Sequence, residues 1–114
     1  MNARVLAERL GARIVERQGG ISENRWIMSE YQVRNKTIVL YRDTLDMLAD
    51  LVATRDLPFD IERLDEIAIA HECFHLLFGG KGGEARAHQF VQELLDLPES
   101  PALLDRALAE SSHA

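Results

Sequence analysis

The sequence predicts a small α+β domain in which a three-stranded, largely antiparallel sheet packs on one buried helix, with further helices around it. Three observations carry this. Thr37-Ile38-Val39-Leu40-Tyr41 is an unbroken run of β-branched and apolar residues, the pattern of a strand covered on both faces. Residues 61–78 are apolar almost all round at helical spacing, so this helix has no polar side to turn to water and belongs inside the domain. Between the strand-forming stretch at 25–33 and that central run lies only Arg34-Asn35-Lys36, a polar turn that joins consecutive strands.

The remaining elements follow in chain order. Val5, Leu6 and Leu10 lie near helical spacing and Gly11 stands where a helix stop would use it, so residues 3–10 form a short first helix. Residues 12–17 alternate, with Ile14 and Glu16 on one side and Arg13, Val15 and Arg17 on the other, which predicts a strand ended by Gly19-Gly20. Residues 25–33 carry the β-formers Trp26, Ile27, Tyr31 and Val33. After the central strand, Asp43 or Thr44 is placed to cap a helix running through Leu45, Met47, Leu48, Leu51 and Val52. Pro58 marks a loop, and Asp60 is placed to cap the buried helix.

Gly79-Gly80-Lys81-Gly82-Gly83 follows that helix. It matches no nucleotide fingerprint and no strand precedes it, so it reads as a tight reversal in which glycine supplies positive φ. A helix over 84–95 turns Ala87, Phe90, Val91, Leu94 and Leu95 inward and ends at Pro98. Ser100 and Pro101 open a last helix carrying Leu103, Leu104 and Leu108. Residues 1–110 are expected to form a single domain, with a frayed tail from Ser111 in which His113 has no role.

Composition removes several function classes. The chain has 114 residues, enough for one core, and 46% are apolar, too many for a disordered chain. The formal charge is −6, from 13 basic and 19 acidic residues, which argues against nucleic acid and against an anionic membrane surface as partners. No stretch approaches the roughly 18 uninterrupted apolar residues of a membrane span. The first ten residues hold two arginines and a glutamate with no apolar run, unlike a signal peptide. Cys73 is the one cysteine, so no internal disulfide forms, which fits a reducing compartment; the expected location is the cytoplasm. Cys73 itself is expected to be a small packing residue that points off the histidine face.

The chemistry concentrates in His71-Glu72-Cys73-Phe74-His75, which reads HExxH. At about 3.6 residues per turn, histidines four apart stack on one helix face, where both can reach one ion. Glu72 cannot point the same way; it borders the ion, where a general base for a metal-bound water stands. A buried pair of histidines beside a buried glutamate is costly without a common purpose, and a metal supplies one. A third ligand is required. The longer motif with glycine three residues beyond His75 and histidine six beyond is excluded, because Phe78 and Lys81 occupy those positions. Glu84 and His88 share one face of the next helix and both remain candidates. Hairpin register leans towards His88, whereas Glu84 has the longer reach. Tyr31 and Tyr41 are both strand residues able to donate to an oxyanion, and Tyr41 is the one named as a candidate stabiliser.

The segment HECFHLLFGGKGGEARAHQFVQELLDLP, residues 71–98, resembles the ImmA/IrrE-type metallopeptidase family of gluzincins. That family shows HExxH, a short linker, then E-x-x-A-N-x-F-A and a leucine-rich end before a proline. His71, Glu72, His75, Glu84, Ala87, Phe90, Leu94, Leu95 and Pro98 match; His88 stands where asparagine is usual, Val91 where alanine is, and one extra residue precedes Pro98. The resemblance implies a zincin-like fold, Zn2+ held by His71, His75 and Glu84, and Glu72 as base, in a minimal catalytic core. His88 then either holds Glu84 from behind or replaces it as ligand. The function implied is peptide-bond hydrolysis by a zinc-bound water, on a peptide or protein substrate laid along a sheet edge formed by residues 26–33 or 37–41. The alternative is a zinc-binding regulatory module of the same fold with little or no peptidase activity.

Overall fold

The computed structural model describes residues 2–23, 25–79 and 83–112. They form a compact α+β arrangement. In chain order the elements are α1 (Ala3–Arg9), β1 (Arg13–Arg17), β2 (Ile21–Ser22), β3 (Arg25–Trp26), β4 (Ser29–Gln32), β5 (Thr37–Tyr41) and α2 (Arg42–Thr54). A single 3-10 turn (Ile61–Arg63) then leads into α3 (Leu64–Phe78), followed by α4 (Gly83–Leu95) and α5 (Ala102–Ser112).

The sheet has three strands in the order β1-β5-β4, but it is mixed rather than largely antiparallel. β4 pairs with β5 antiparallel across the turn at 33–36, whereas β1 pairs with β5 parallel, Arg13 opposite Thr37 through Arg17 opposite Tyr41. Burial explains the order. Thr37, Ile38, Val39 and Leu40 are all buried, which suits only a central strand. Arg-Ile-Val-Glu-Arg and Ser-Glu-Tyr-Gln are half polar and take the two edges, where polar side chains are tolerated. The stretch at 25–33 also divides. β3 turns back on β2 as a separate two-stranded ribbon, and only β4 joins the sheet. Gly20 makes this possible: a Cβ there would lie 2.3 Å from Thr44 Oγ1 and 2.5 Å from the Ile27 carbonyl.

Helix α1 ends as its glycine suggests. Gly11 takes φ +81°, its N–H donates to the Glu8 carbonyl at 3.0 Å, and the Ala12 N–H donates to the Ala7 carbonyl at 2.9 Å, closing a Schellman motif. Ala3 and Ala7 are fully buried, and their small side chains let α1 lie close against α3.

The expected caps differ. α2 starts at Arg42, and Asp43 lies inside its first turn rather than at the cap. Its carboxylate instead accepts from the backbone N–H groups of Gly19, Gly20 and Ile21 at 3.2, 3.1 and 3.2 Å. Asp60 makes no side-chain cap bond; only its carbonyl accepts, from the Arg63 N–H at 3.0 Å. Ser100 Oγ accepts from the Ala102 N–H at 3.2 Å, so α5 opens one residue after Pro101. That helix continues through Ser111 to Ser112 where fraying was expected, and Arg55 donates to Ser111 Oγ. His113 lies outside the described residues.

Helix α3 is the centre of the molecule. It packs against α1, α2, α4, β4 and β5. Leu64, Ile67, Ala68, Ile69, Ala70 and Cys73 are buried in one core with Ile38 and Leu40 of β5, Leu45 and Leu48 of α2, Val91 of α4 and Leu104 of α5. Cys73 is fully buried, and burial pushes its thiol up to about 11, the state of an inert packing residue. Among the described residues no helix is long and apolar enough to cross a membrane.

Candidate metal centre

His71 and His75 lie one turn apart on α3, and the helix stacks their rings with centroids 4.8 Å apart. Their Nε2 atoms are 3.1 Å from each other. The third group comes from α4. Gly79 and Gly83 hold φ +62° and +71° at the two ends of the linker, conformations that a Cβ disfavours, while Gly80, Lys81 and Gly82 lie outside the described residues. The reversal starts α4 at Gly83, so Glu84 stands in its first turn and its carboxylate reaches back over α3. Glu84 Oε2 is 3.3 Å from His71 Nε2, and Oε1 is 3.4 Å from His75 Nε2.

Four atoms gather here: two imidazole nitrogens and the two oxygens of one carboxylate, each oxygen nearest a different ring. Ligand bonds of about 2.0–2.1 Å in tetrahedral geometry put neighbouring donors about 3.3 Å apart. The two nitrogens, 3.1 Å apart, have about that spacing, and with the Glu84 carboxylate at 3.3 and 3.4 Å they make a group that could hold one cation. Imidazole and carboxylate donors suit several divalent first-row ions. Burial pulls the His71 imidazole below its usual value, against the opposing pull of the Glu84 carboxylate, which favours the neutral ring a metal requires.

Glu72 points away from this cluster towards the sheet. It is buried, and its Oε2 accepts from Ser29 Oγ of β4 at 2.7 Å. Burial pushes its carboxyl above the usual value, and the Ser29 hydrogen bond offsets part of that rise. It lines the same cleft as the two histidines and Glu84.

His88 turns elsewhere. It is buried one turn along α4 from Glu84, and its Nε2 lies 3.0 Å from Asp105 Oδ2 of α5. That hydrogen bond raises the His88 pKa more than burial lowers it. Glu84, His88 and Asp105 form a second group of potential donors that overlaps the first through Glu84. Neither Ser29 nor Asp105 was singled out from the sequence. Each belongs to an element brought in by tertiary packing, and no local pattern marks it.

Tyr41 is not brought to the cluster. Its hydroxyl donates to the Glu30 carboxylate, which raises its pKa, and it lines a separate hollow with Gly19, Gly20 and Arg25. Tyr31, opposite Ile38 on β4, does line the cleft.

The cleft runs along β4. The Tyr41 N–H donates to the Met28 carbonyl at 2.9 Å, and the antiparallel alternation from that pair turns the backbone groups of Ser29 and Tyr31 away from β5. β4 therefore offers an unpaired edge beside the cluster. β5, the other strand considered for that role, lies in the middle of the sheet and has no free edge. Comparison of the chain with protein-family models, with curated proteins and with solved structures gave no match.

Proposed function

We propose that this chain is a zinc-dependent metallopeptidase with a zincin-like fold, in keeping with its resemblance to the ImmA/IrrE-type family. The observation that carries the proposal is the cluster of donor groups from His71, His75 and Glu84, with the buried Glu72 carboxylate beside it. Two of those side chains come from one helix and the third from its neighbour, and the pattern of separations is what one cation would need.

When bound, zinc would supply Lewis acidity, polarising a carbonyl and drawing the pKa of a water towards about 7. The chain's own residues divide the remaining work. His71 and His75 present neutral ring nitrogens, and the α3 helix fixes their separation. Glu84 would contribute a carboxylate ligand whose negative charge partly offsets that of the cation. Glu72 takes a proton: Ser29 fixes one carboxylate oxygen and leaves the other free, and burial makes the group more basic than an exposed glutamate. The outward backbone groups of Ser29 and Tyr31 orient an extended peptide by strand addition. His88, held by Asp105, packs behind the histidine pair, its ring centroid 5.5 Å from that of His71.

The test has two stages. Protein purified without added metal is measured for bound ions, with one zinc per chain expected and His75→Ala expected to lose it. Zinc-loaded and chelated protein are then incubated with a peptide mixture, and cleavage is followed by mass spectrometry. Cleavage that requires zinc and disappears in Glu72→Gln, which keeps its ion, supports the proposal. Zinc binding without cleavage of any peptide leaves a zinc-dependent binding module and removes the peptidase.

A further inference from the structure

Two hollows meet at the cluster and differ in size and wall. Both are lined by Ser29, His71, Glu72 and Glu84. The larger, about 440 Å³, extends past Tyr31, Val33 and Gly79. The smaller, about 150 Å³, extends past Trp26, Ile27 and Met28 and is closed by Asp105. Met28 immediately precedes the edge strand and Tyr31 lies two residues into it, so the two hollows extend in opposite directions along the chain from Ser29, which lines both together with His71, Glu72 and Glu84.

We infer that these hollows select the two residues either side of the bond to be cut: a large apolar side chain in the hollow at Val33, and a small one in the hollow at Trp26. This rests on the peptidase reading above. The volumes decide the assignment. Sites that engulf an organic group run to about 300–1,000 Å³, so the larger hollow is within that range and the smaller is below it. Chemistry agrees. Val33 is 76% exposed, the most exposed large apolar residue among the described residues, and it lines the larger hollow. An apolar side chain seated against Val33 and the Tyr31 ring would take that surface out of water. In the smaller hollow Trp26 and Met28 are packed against the core, so that wall cannot retreat to admit a bulky group. The Asp105 carboxylate there is already engaged by His88, which disfavours long apolar chains without offering a free charge to a basic one.

Val33 is thus a specificity-determining residue, and its exposure makes it safe to change. The test uses the zinc-loaded full chain carrying Glu72→Gln, which reports binding without turnover. Two peptides identical except for phenylalanine or alanine at one position are titrated by calorimetry, with the neighbouring residue glycine in both. The phenylalanine peptide is expected to bind about tenfold more tightly, and adding Val33→Asp is expected to erase that ratio while zinc content is unchanged. In wild-type protein, cleavage sites in a random peptide mixture should show leucine, methionine or phenylalanine on one flank and glycine, alanine or serine on the other. Equal affinity for the two peptides, a ratio unmoved by Val33→Asp, or a preference for basic residues in the larger hollow would each overturn the assignment while leaving the peptidase intact. Zinc-loaded protein that binds and cleaves no peptide at all would overturn both.

Discussion

Two carboxylates, Asp43 and Glu72, sit on adjacent helices and are driven in opposite directions. Asp43 is surrounded by donors. Its partial burial pushes its pKa up, but hydrogen bonds from the N–H groups of Gly20, Ile21, Gly19 and Thr44 outweigh that and hold it below the usual carboxylate range. Glu72 is buried against α3 and the sheet with one hydroxyl, Ser29, as its hydrogen-bonded partner, and burial wins. The first arrangement stabilises a charge in order to fix a turn. The second leaves a charge under-solvated beside a cleft, which costs stability and makes the group a better proton acceptor. The difference separates a carboxylate that works for the fold from one that the proposed function would use as a base.

The largest expected effect comes from removing the Glu72 charge. Glu72→Gln should lower peptide cleavage by at least about a thousandfold, keep its zinc, and raise the unfolding midpoint of metal-free protein, because Ser29 still has an acceptor and the buried charge is gone. A fall in the midpoint measured by calorimetry would mean that Glu72 belongs with Asp43.

Asp43→Ala should act the other way. It strips the N–H groups of Gly19, Gly20 and Ile21 in the turn of their acceptor and should destabilise the chain by about 1–2 kcal/mol, read by denaturant unfolding, with zinc content unchanged. The pH dependence separates the pair further. A depressed folded pKa means that the Asp43 contribution is present above the unfolded value of about 3.9 and is lost as pH falls through the folded value. A raised folded pKa means that the Glu72 penalty is absent below its unfolded value and grows as pH rises through the folded one. In metal-free protein, Asp43→Asn should therefore flatten the acid side of the stability profile, and Glu72→Gln should lift the profile at neutral pH.

Ser29→Ala sharpens the comparison by a smaller step. Without its hydroxyl donor Glu72 becomes still harder to ionise, so the acid limb of the cleavage profile should move to higher pH and kcat should fall about tenfold. An unshifted limb would show that the hydroxyl does not tune the base.

Asp105→Asn should have the smallest effect. The His88 pKa is raised by Asp105, so the pair stabilises the fold fully below the unfolded histidine value of about 6.5 and loses this as pH rises through the folded value. With Asp105 half exposed, the loss at pH 6 should stay under about 1 kcal/mol and vanish by pH 9, measured by chemical denaturation.

The sequence by itself determined what depends on near neighbours. The stacking of His71 over His75, the exclusion of Glu72 from their face, the burial of residues 37–40 and the Gly11 stop all follow from helix and strand periods that operate within a few residues. Tertiary structure alone decided the rest. The choice of Glu84 rather than His88 to face the imidazoles turns on where α4 begins after a glycine linker. Local period does not fix that starting point. Glycine leaves it open, and packing against α3 sets it. Asp43 left its expected capping role because a turn more than twenty residues earlier offered it three donors. Ser29 and Asp105 acquired roles because β4 and α5 close over α3 from opposite directions. β1 joined the far side of β5 and runs parallel to it, an arrangement that leaves β5 central and that no local period fixes. A residue's period can be read along the chain, but its partner is fixed only when separate elements compete for the same core.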